Sequence, residues 1–247
     1  MDEPFAENIV YCGHSYSPAA FGPGAYPGTI IGKHWDRSYM RVSNLRHQAF
    51  PYARKHDVPL LIGEFGALCN GPEAEHAGRL QALDDQIAVF EEFGAHWTAW
   101  TYKDVGIMGL VHVDPDSDYM QLIAPILAAK AELAADAWVG WLPDTRTGQL
   151  ACDLASEIYA ALGDPEVRPE FNLHHLRRAV FSGFAASMLE PSFAKRFRGM
   201  SEVELDRLLQ AFSLKNCRPH ADLVQVLQKY FDPPSAESHD DASGEDR

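Results

Sequence analysis

The stretch VPLLIGEFGA, residues 58–67, constrains the fold more than any other part of the chain. Val58, Pro59, Leu60, Leu61 and Ile62 read as a buried strand, yet the run ends in Gly63, Glu64, Phe65 and Gly66. A buried ionised carboxylate costs on the order of several kcal/mol unless something compensates it. Glu64 is therefore either a paired structural group or a functional one, and its neighbours must decide.

Two further segments share this design. Residues 8–12 are a short apolar run ending near His14 and Tyr16, and residues 96–101 end in Trp100 ahead of Tyr102, Lys103 and Asp104. Each of the three expected strands is followed by a helical pattern. Residues 38–56 place Tyr39, Val42, Leu45 and Ala49 on one face, with Pro51 expected to kink the helix. Residues 75–93 align Leu80, Leu83, Ile87 and Phe90, and residues 119–134 align Met120, Ile123, Leu127 and Ala134. Strand–helix units of this kind imply parallel pairing with right-handed crossovers, and ligands then sit at the carboxyl ends of the strands. All the unusual polar and aromatic residues fall at those ends. The Gly- and Pro-rich stretch 15–36 and the stretch 102–118 are expected to be loops.

After Trp138 and Trp141 the character changes. Residues 147–163, 170–189, 201–213 and 219–231 read as helices with no strand between them, and Ser201 with Glu204 forms a capping-box pair. Residues 232–247 are polar and acidic, and disorder is expected there. The division expected is 1–141 for the α/β part, 142–231 for a helical extension and 232–247 for a tail.

Composition narrows the function classes. A net charge of -14 argues against a nucleic-acid surface and against anionic membranes, and suits neutral ligands. The four cysteines, Cys12, Cys69, Cys152 and Cys217, are scattered singly, which is neither a disulfide framework nor a zinc site. No apolar run approaches a membrane span, and the start MDEPFAENIVYCGH fits no signal peptide, so the default compartment is cytoplasmic. Asp114, Asp116 and Asp118 alternate like calcium ligands, but Tyr119 stands where the tight turn needs Gly, and a helix cap from Ser117 or Asp118 is the better reading. His174 and His175 lack a third ligand and are expected to be solvated or core residues. Trp138 and Trp141 are expected to pack between the two parts rather than to form a second sugar platform.

A Tyr hydroxyl and a His beside Glu64 could hold the carboxylate ionised and oriented, as a nucleophile needs. The flat face of Trp100 suits the C–H face of a sugar ring. Together these suit glycoside hydrolysis, whose transition state is oxocarbenium-like. NIVYCGHSY, VPLLIGEFGA and WTAWTYKDVGIMGLV, in that order, resemble the last three strands of glycoside hydrolase family 5, the cellulase-type (β/α)8 barrels. The resemblance covers roughly residues 5–138. It implies that Glu64 is the catalytic nucleophile of a retaining reaction. His14 and Tyr16 would orient it and line the glycone subsite, Trp100 would be the sugar platform, and Tyr102, Lys103 and Asp104 would contact substrate at the mouth. It implies β-glucan as the commonest substrate class, with mannan and glycolipid open, and no metal or organic cofactor. The family's acid/base is a Glu in an Asn-Glu-Pro motif on the fourth strand. Asp2, Glu3 and Pro4 echo that motif, but no strand and helix separate them from Asn8, so Glu3 is not expected to serve. The expectation is thus the portion from about the sixth to the eighth barrel strand plus a helical extension, with a missing N-terminal barrel half as a possible partner. The alternative is an inactive carbohydrate-binding or complementing fragment. Expressed alone, such a chain is expected to self-associate.

Overall fold

The computed structural model describes residues 3–231 apart from 5, 23, 31, 134, 136–144, 165, 167 and 168. The chain opens with β1 (Tyr11–His14), α1 (Pro18–Phe21), β2 (Gly28–Ile30) and β3 (Lys33–Trp35). There follow α2 (Arg37–Arg46), α3 (Ala49–His56), β4 (Leu60–Glu64) and α4 (Glu73–Glu92), then β5 (His96–Trp97), β6 (Lys103–Asp104), β7 (Val111–Val113) and α5 (Asp118–Leu133). The remainder is α6 (Arg146–Leu162), α7 (Pro169–Arg177), a π-helical stretch Arg178–Ala185, α8 (Ala186–Phe197), α9 (Glu202–Leu209), two 3₁₀ turns, β8 (Cys217–Pro219) and α10 (Ala221–Gln228). The architecture is α/β.

The central sheet is parallel, in the order β1-β4-β5, with Tyr11 opposite Leu60 and Leu61 opposite His96. The first strand begins at Tyr11 rather than at residue 8, because Asn8 has a φ of 55° and cannot extend the run. The second begins after Pro59, which has no N–H but accepts from Tyr11 at 2.9 Å, so Glu64 is the last residue of β4. The expected third strand shrinks to His96–Trp97. Beyond it, single bonds from Thr98 N to the Ile62 carbonyl and from Trp100 N to the Phe65 carbonyl guide the chain to the same sheet end.

Helices cover one face of this sheet. The expected helix 38–56 is two helices, and the break lies at His47–Gln48 instead of Pro51. Pro51 occupies the first turn of α3, where its missing N–H is no loss. Asp36 caps α2 by accepting from Tyr39 N at 2.7 Å, and Asp57 ends α3 in a left-handed turn. Arg37 and Arg41 on α2 both reach Glu92 at the end of α4, at 2.8 and 3.1 Å. Beneath them lies the core of Ile62, Phe65, Leu83, Ile87 and Phe90, all fully buried. Each such side chain contributes about 1.5–3 kcal/mol by leaving water.

Both stretches read as loops contain regular structure. Residues 15–36 hold α1, capped by Ser17, and the antiparallel β2–β3 hairpin. Residues 102–118 hold β6 and β7, which pair in parallel. The segment expected to be wholly helical contains β8, antiparallel to β7, with Val111 opposite Pro219. Beyond it α10 buries Leu223, Val226 and Leu227 in the main core, and Tyr230 donates to Asp84 on α4 at 2.7 Å. Packing therefore crosses the expected division at residue 141. Ser201 and Glu204 form the capping box of α9, and Ser117 caps α5 by accepting from Met120 N at 3.3 Å. Asp114 and Asp116 both pair with Arg218, the middle residue of β8. His174 and His175 lie exposed on α7 with their rings 3.8 Å apart. Trp138, Trp141 and the tail 232–247 lie outside the described residues.

Candidate active site

The carboxyl ends of β1 and β4 meet at Glu64. A register irregularity after Gly13 brings His14 opposite Glu64, and Ser15 N donates to the Glu64 carbonyl at 2.9 Å. The chain is extended here, so His14 and Tyr16 flank Ser15 on one side. The Tyr16 hydroxyl donates to Glu64 Oε2 at 2.9 Å, and His14 Nδ1 stands 3.2 Å from the same oxygen. No described hydrogen bond reaches Oε1. The Glu64 side chain is 29% exposed, so the puzzle of a carboxylate on an apolar strand resolves locally. Ile62 and Phe65 are buried, while Glu64 sits at the rim with two polar partners.

Tyr16 holds its proton far above the usual phenol range, first because it is partly buried and then because its hydrogen bond to the Glu64 carboxylate disfavours ionisation. It therefore remains a donor to Glu64 Oε2. Tyr16 itself is steadied edge-on by Phe21, with ring centroids 5.3 Å apart.

Both glycines of GEFG are close-approach residues. A Cβ at Gly63 would lie 2.8 Å from Cys12 Sγ and 3.5 Å from the His14 ring, and one at Gly66 would lie 2.6 Å from the Trp100 carbonyl oxygen. Side chains there would push apart the three strand ends that form the site. Between the glycines, Phe65 anchors the turn edge-on against Phe90 and Trp97 at 5.2 and 5.5 Å. Trp100 is 39% exposed at the same end, followed by a cis peptide to Thr101. The structure thus gathers His14, Tyr16 and Glu64 into one cluster and pins Trp100 to the neighbouring strand end.

Of the three residues expected at the mouth, Tyr102 is exposed, while Lys103 and Asp104 are half-buried and engaged by protein groups. Lys103 Nζ donates to the Phe212 carbonyl at 2.5 Å. The Asp104 carboxylate accepts from the backbone N–H groups of Gly106, Ile107, Met108 and Gly109, at 2.7–3.2 Å. Four N–H donors in one tight loop satisfy both oxygens, so Asp104 organises the 104–109 turn. Lys103 ties that turn to the C-terminal part.

Glu3 lies elsewhere. It pairs with the buried His56 at 3.1 Å, at the end of α3 that leads into the start of β4. That is the opposite end of the strand from Glu64, about 13 Å away by strand rise alone. A cavity of about 940 Å³ also lies there, around Arg41, Phe50, Asp57 and Pro59. It touches none of the clustered residues, so the chemistry is better sought at the depression of about 390 Å³ bordered by His14, Tyr16, Trp35 and His47. Sequence reasoning missed Gln86, whose amide bonds Ser15 from below. Its signal was a polar residue inside the apolar stripe of α4, between Leu83 and Phe90.

No protein-family model matches the chain. A β-xylosidase from Phanerodontia chrysosporium is 30% identical over 242 residues, covering 90% of this chain. The chain spans 48% of that relative's length. Among solved structures, a hyperthermophilic endo-β-1,4-glucanase in complex with substrate is 25% identical, with a TM-score of 0.33 over 44% of this chain and 36% of that one. A glycoside hydrolase overlaps 42% of this chain and 32% of its own, at 22% identity and a TM-score of 0.34. Over nine-tenths of its length the chain is thus similar to a glycosidase.

Proposed function

We propose that this chain carries the nucleophile side of a retaining β-glycoside hydrolase site. Its parallel sheet would be an arc, about the sixth to the eighth strand, of a family 5 (β/α)8 barrel. Residues 142–231 would be an extension that returns β8 and α10 to that arc. The observation that carries the reading is the cluster in which Tyr16 and His14 both engage Oε2 of Glu64 at the carboxyl ends of parallel strands.

In this reading Oε2 is held and Oε1 attacks the anomeric carbon, forming a glycosyl ester as the leaving oxygen takes a proton from a second carboxylic acid. Water then hydrolyses the ester with the second group acting as base, which regenerates the starting anomeric configuration. In retaining enzymes the two carboxyl groups stand about 5–5.5 Å apart. No residue of this chain is assigned as the acid, and Glu3 is engaged at the far end of the strand. Trp100 would supply the sugar platform. The similarity to a β-xylosidase supports a β-linked pyranoside with equatorial hydroxyls, a description that covers β-xylosides and β-glucans alike.

The test is Glu64→Gln, isosteric but unable to attack, in protein that turns over an aryl β-xyloside or β-glucoside. Turnover should fall by more than about 10⁴-fold, with sugar binding retained by calorimetry. Ordinary turnover in the variant would show that Glu64 is structural. Saccharide binding by a parent that never turns over would favour a binding module.

A further inference from the structure

We infer that Gln86 is a positioning residue for this site: from α4 it clamps Ser15, and through Ser15 it sets the two side chains that hold Glu64. The inference rests on the hydrolase reading for its purpose, though not for its geometry. Gln86 is fully buried on the face of α4 that packs under the sheet, between Leu83, Ile87 and Phe90. Its Nε2 donates to the Ser15 carbonyl at 2.7 Å and to Ser15 Oγ at 3.1 Å. A carbonyl oxygen only accepts, so the amide nitrogen must be the atom that faces it.

Ser15 is thereby held from two directions. Its N–H is bonded to the carbonyl of Glu64 itself, and its C=O is bonded to Gln86. The residues on either side of it, His14 and Tyr16, both aim at Glu64 Oε2. A small rotation of the Ser15 peptide would displace both flanking side chains, because each belongs to a residue joined directly to Ser15. The clamp carries a cost, since Gln86 Oε1 is buried without a hydrogen-bond partner among the described residues. A Leu or Met would fill the same space without that orphaned oxygen. A polar residue kept in an apolar stripe at such a cost is expected where geometry, rather than stability, is at stake.

The experiment reads Tyr16 directly. Phenol ionisation is followed by absorbance near 295 nm from about pH 8 to 11.5, as the difference between each protein and its Tyr16→Phe counterpart, with circular dichroism confirming the folded state. The parent should show no Tyr16 ionisation below about pH 11, because burial and then the Glu64 contact hold the proton on. In Gln86→Met, which loosens the Glu64 contact but leaves the burial of Tyr16, one additional tyrosine should begin to ionise within this range, below the parent's value. If Gln86→Met fails to fold, Gln86→Asn keeps the amide but withdraws it from Ser15, and the same change is expected. Tyr16 remaining silent in a folded Gln86 variant would overturn the inference, as would a parent in which it titrates near 10. A residue that only filled the core would lower stability without moving this titration. In protein that hydrolyses an aryl β-glycoside, kcat should also fall about tenfold with KM within about twofold. A parent without turnover would count against the hydrolase reading, while the tyrosine titration still decides the role of Gln86.

Discussion

The two faces of the β1-β4-β5 sheet have been treated very differently. On the helix side, Leu60, Ile62, Phe65, Ile87 and Phe90 are at most 6% exposed and interlock with α2, α3 and α4. On the other side, Val10, Cys12, His14 and Thr98 are exposed, and Leu61 is only half-covered. Both faces carry apolar residues, so hydrophobicity alone does not distinguish them. What distinguishes them is cover: one face has helices packed on it, while the other opens toward the rim where Glu64, Tyr16 and His14 converge. Scattered exposed apolar residues are ordinary, but here Val10 and Leu61 share a sheet face that runs to the Glu64, Tyr16 and His14 cluster.

The contrast predicts unequal responses to substitution. Phe90→Ala, which empties space against Phe65 and Phe50, should cost about 3–5 kcal/mol in urea unfolding. Cys12→Ser on the open face should stay within about 0.5 kcal/mol. Equal costs would mean that the open face is packed in solution.

Thiol chemistry sharpens the same point. Burial, reinforced by Asp222 and Asp104, pushes the Cys69 thiol up to about 12. Cys12 is an exposed free thiol on the open face. Iodoacetamide near pH 8 should therefore label Cys12 at least about tenfold faster than Cys69, as peptide mass spectrometry would show. Protection of Cys12 that disappears on dilution would reveal that copies of the chain cover this face in one another.

The smallest effect belongs to the sealed side. Tyr26 donates to Asp85 on α4 at 2.7 Å, and burial, that bond and the nearby carboxylates raise its pKa well above the usual value. The folded state thus keeps a proton that the unfolded chain releases near pH 10. Stability tied to this group is fully present below pH 10 and is lost as pH rises toward the folded value. Urea midpoints should decline above pH 10 in the parent and decline less in Tyr26→Phe.

Much of this arrangement was legible in the sequence where local signals and tertiary role coincide. The GEFG turn is an example: an apolar run, two glycines and a carboxylate announce a strand end with close neighbours, and Glu64 lies there. The pairing of β7 with β8 was not legible, because strands of three residues have no periodicity to read and Val111 finds Pro219 across more than a hundred residues. A mouth role for Asp104 came only with the family resemblance. Only the backbone shows that four N–H groups consume its oxygens. The break at His47 was hidden because the apolar spacing continues from Leu45 to Ala49 across it, while Pro51 drew attention to a turn where proline is harmless. Gln86 was passed over because a stripe is read for its apolar members, and the exception inside it was the informative residue.

The central claim is that Glu64, held through Oε2 by Tyr16 and His14, is a nucleophile. It is tested most directly by trapping the ester. Active protein would be incubated with an activated 2-deoxy-2-fluoro β-xyloside or β-glucoside, whose glycosyl ester forms faster than it hydrolyses, then digested and sequenced by mass spectrometry. The account predicts a single glycosyl adduct on the carboxylate of Glu64. An adduct on another carboxylate, or turnover that inverts the anomeric centre without any adduct, would contradict it.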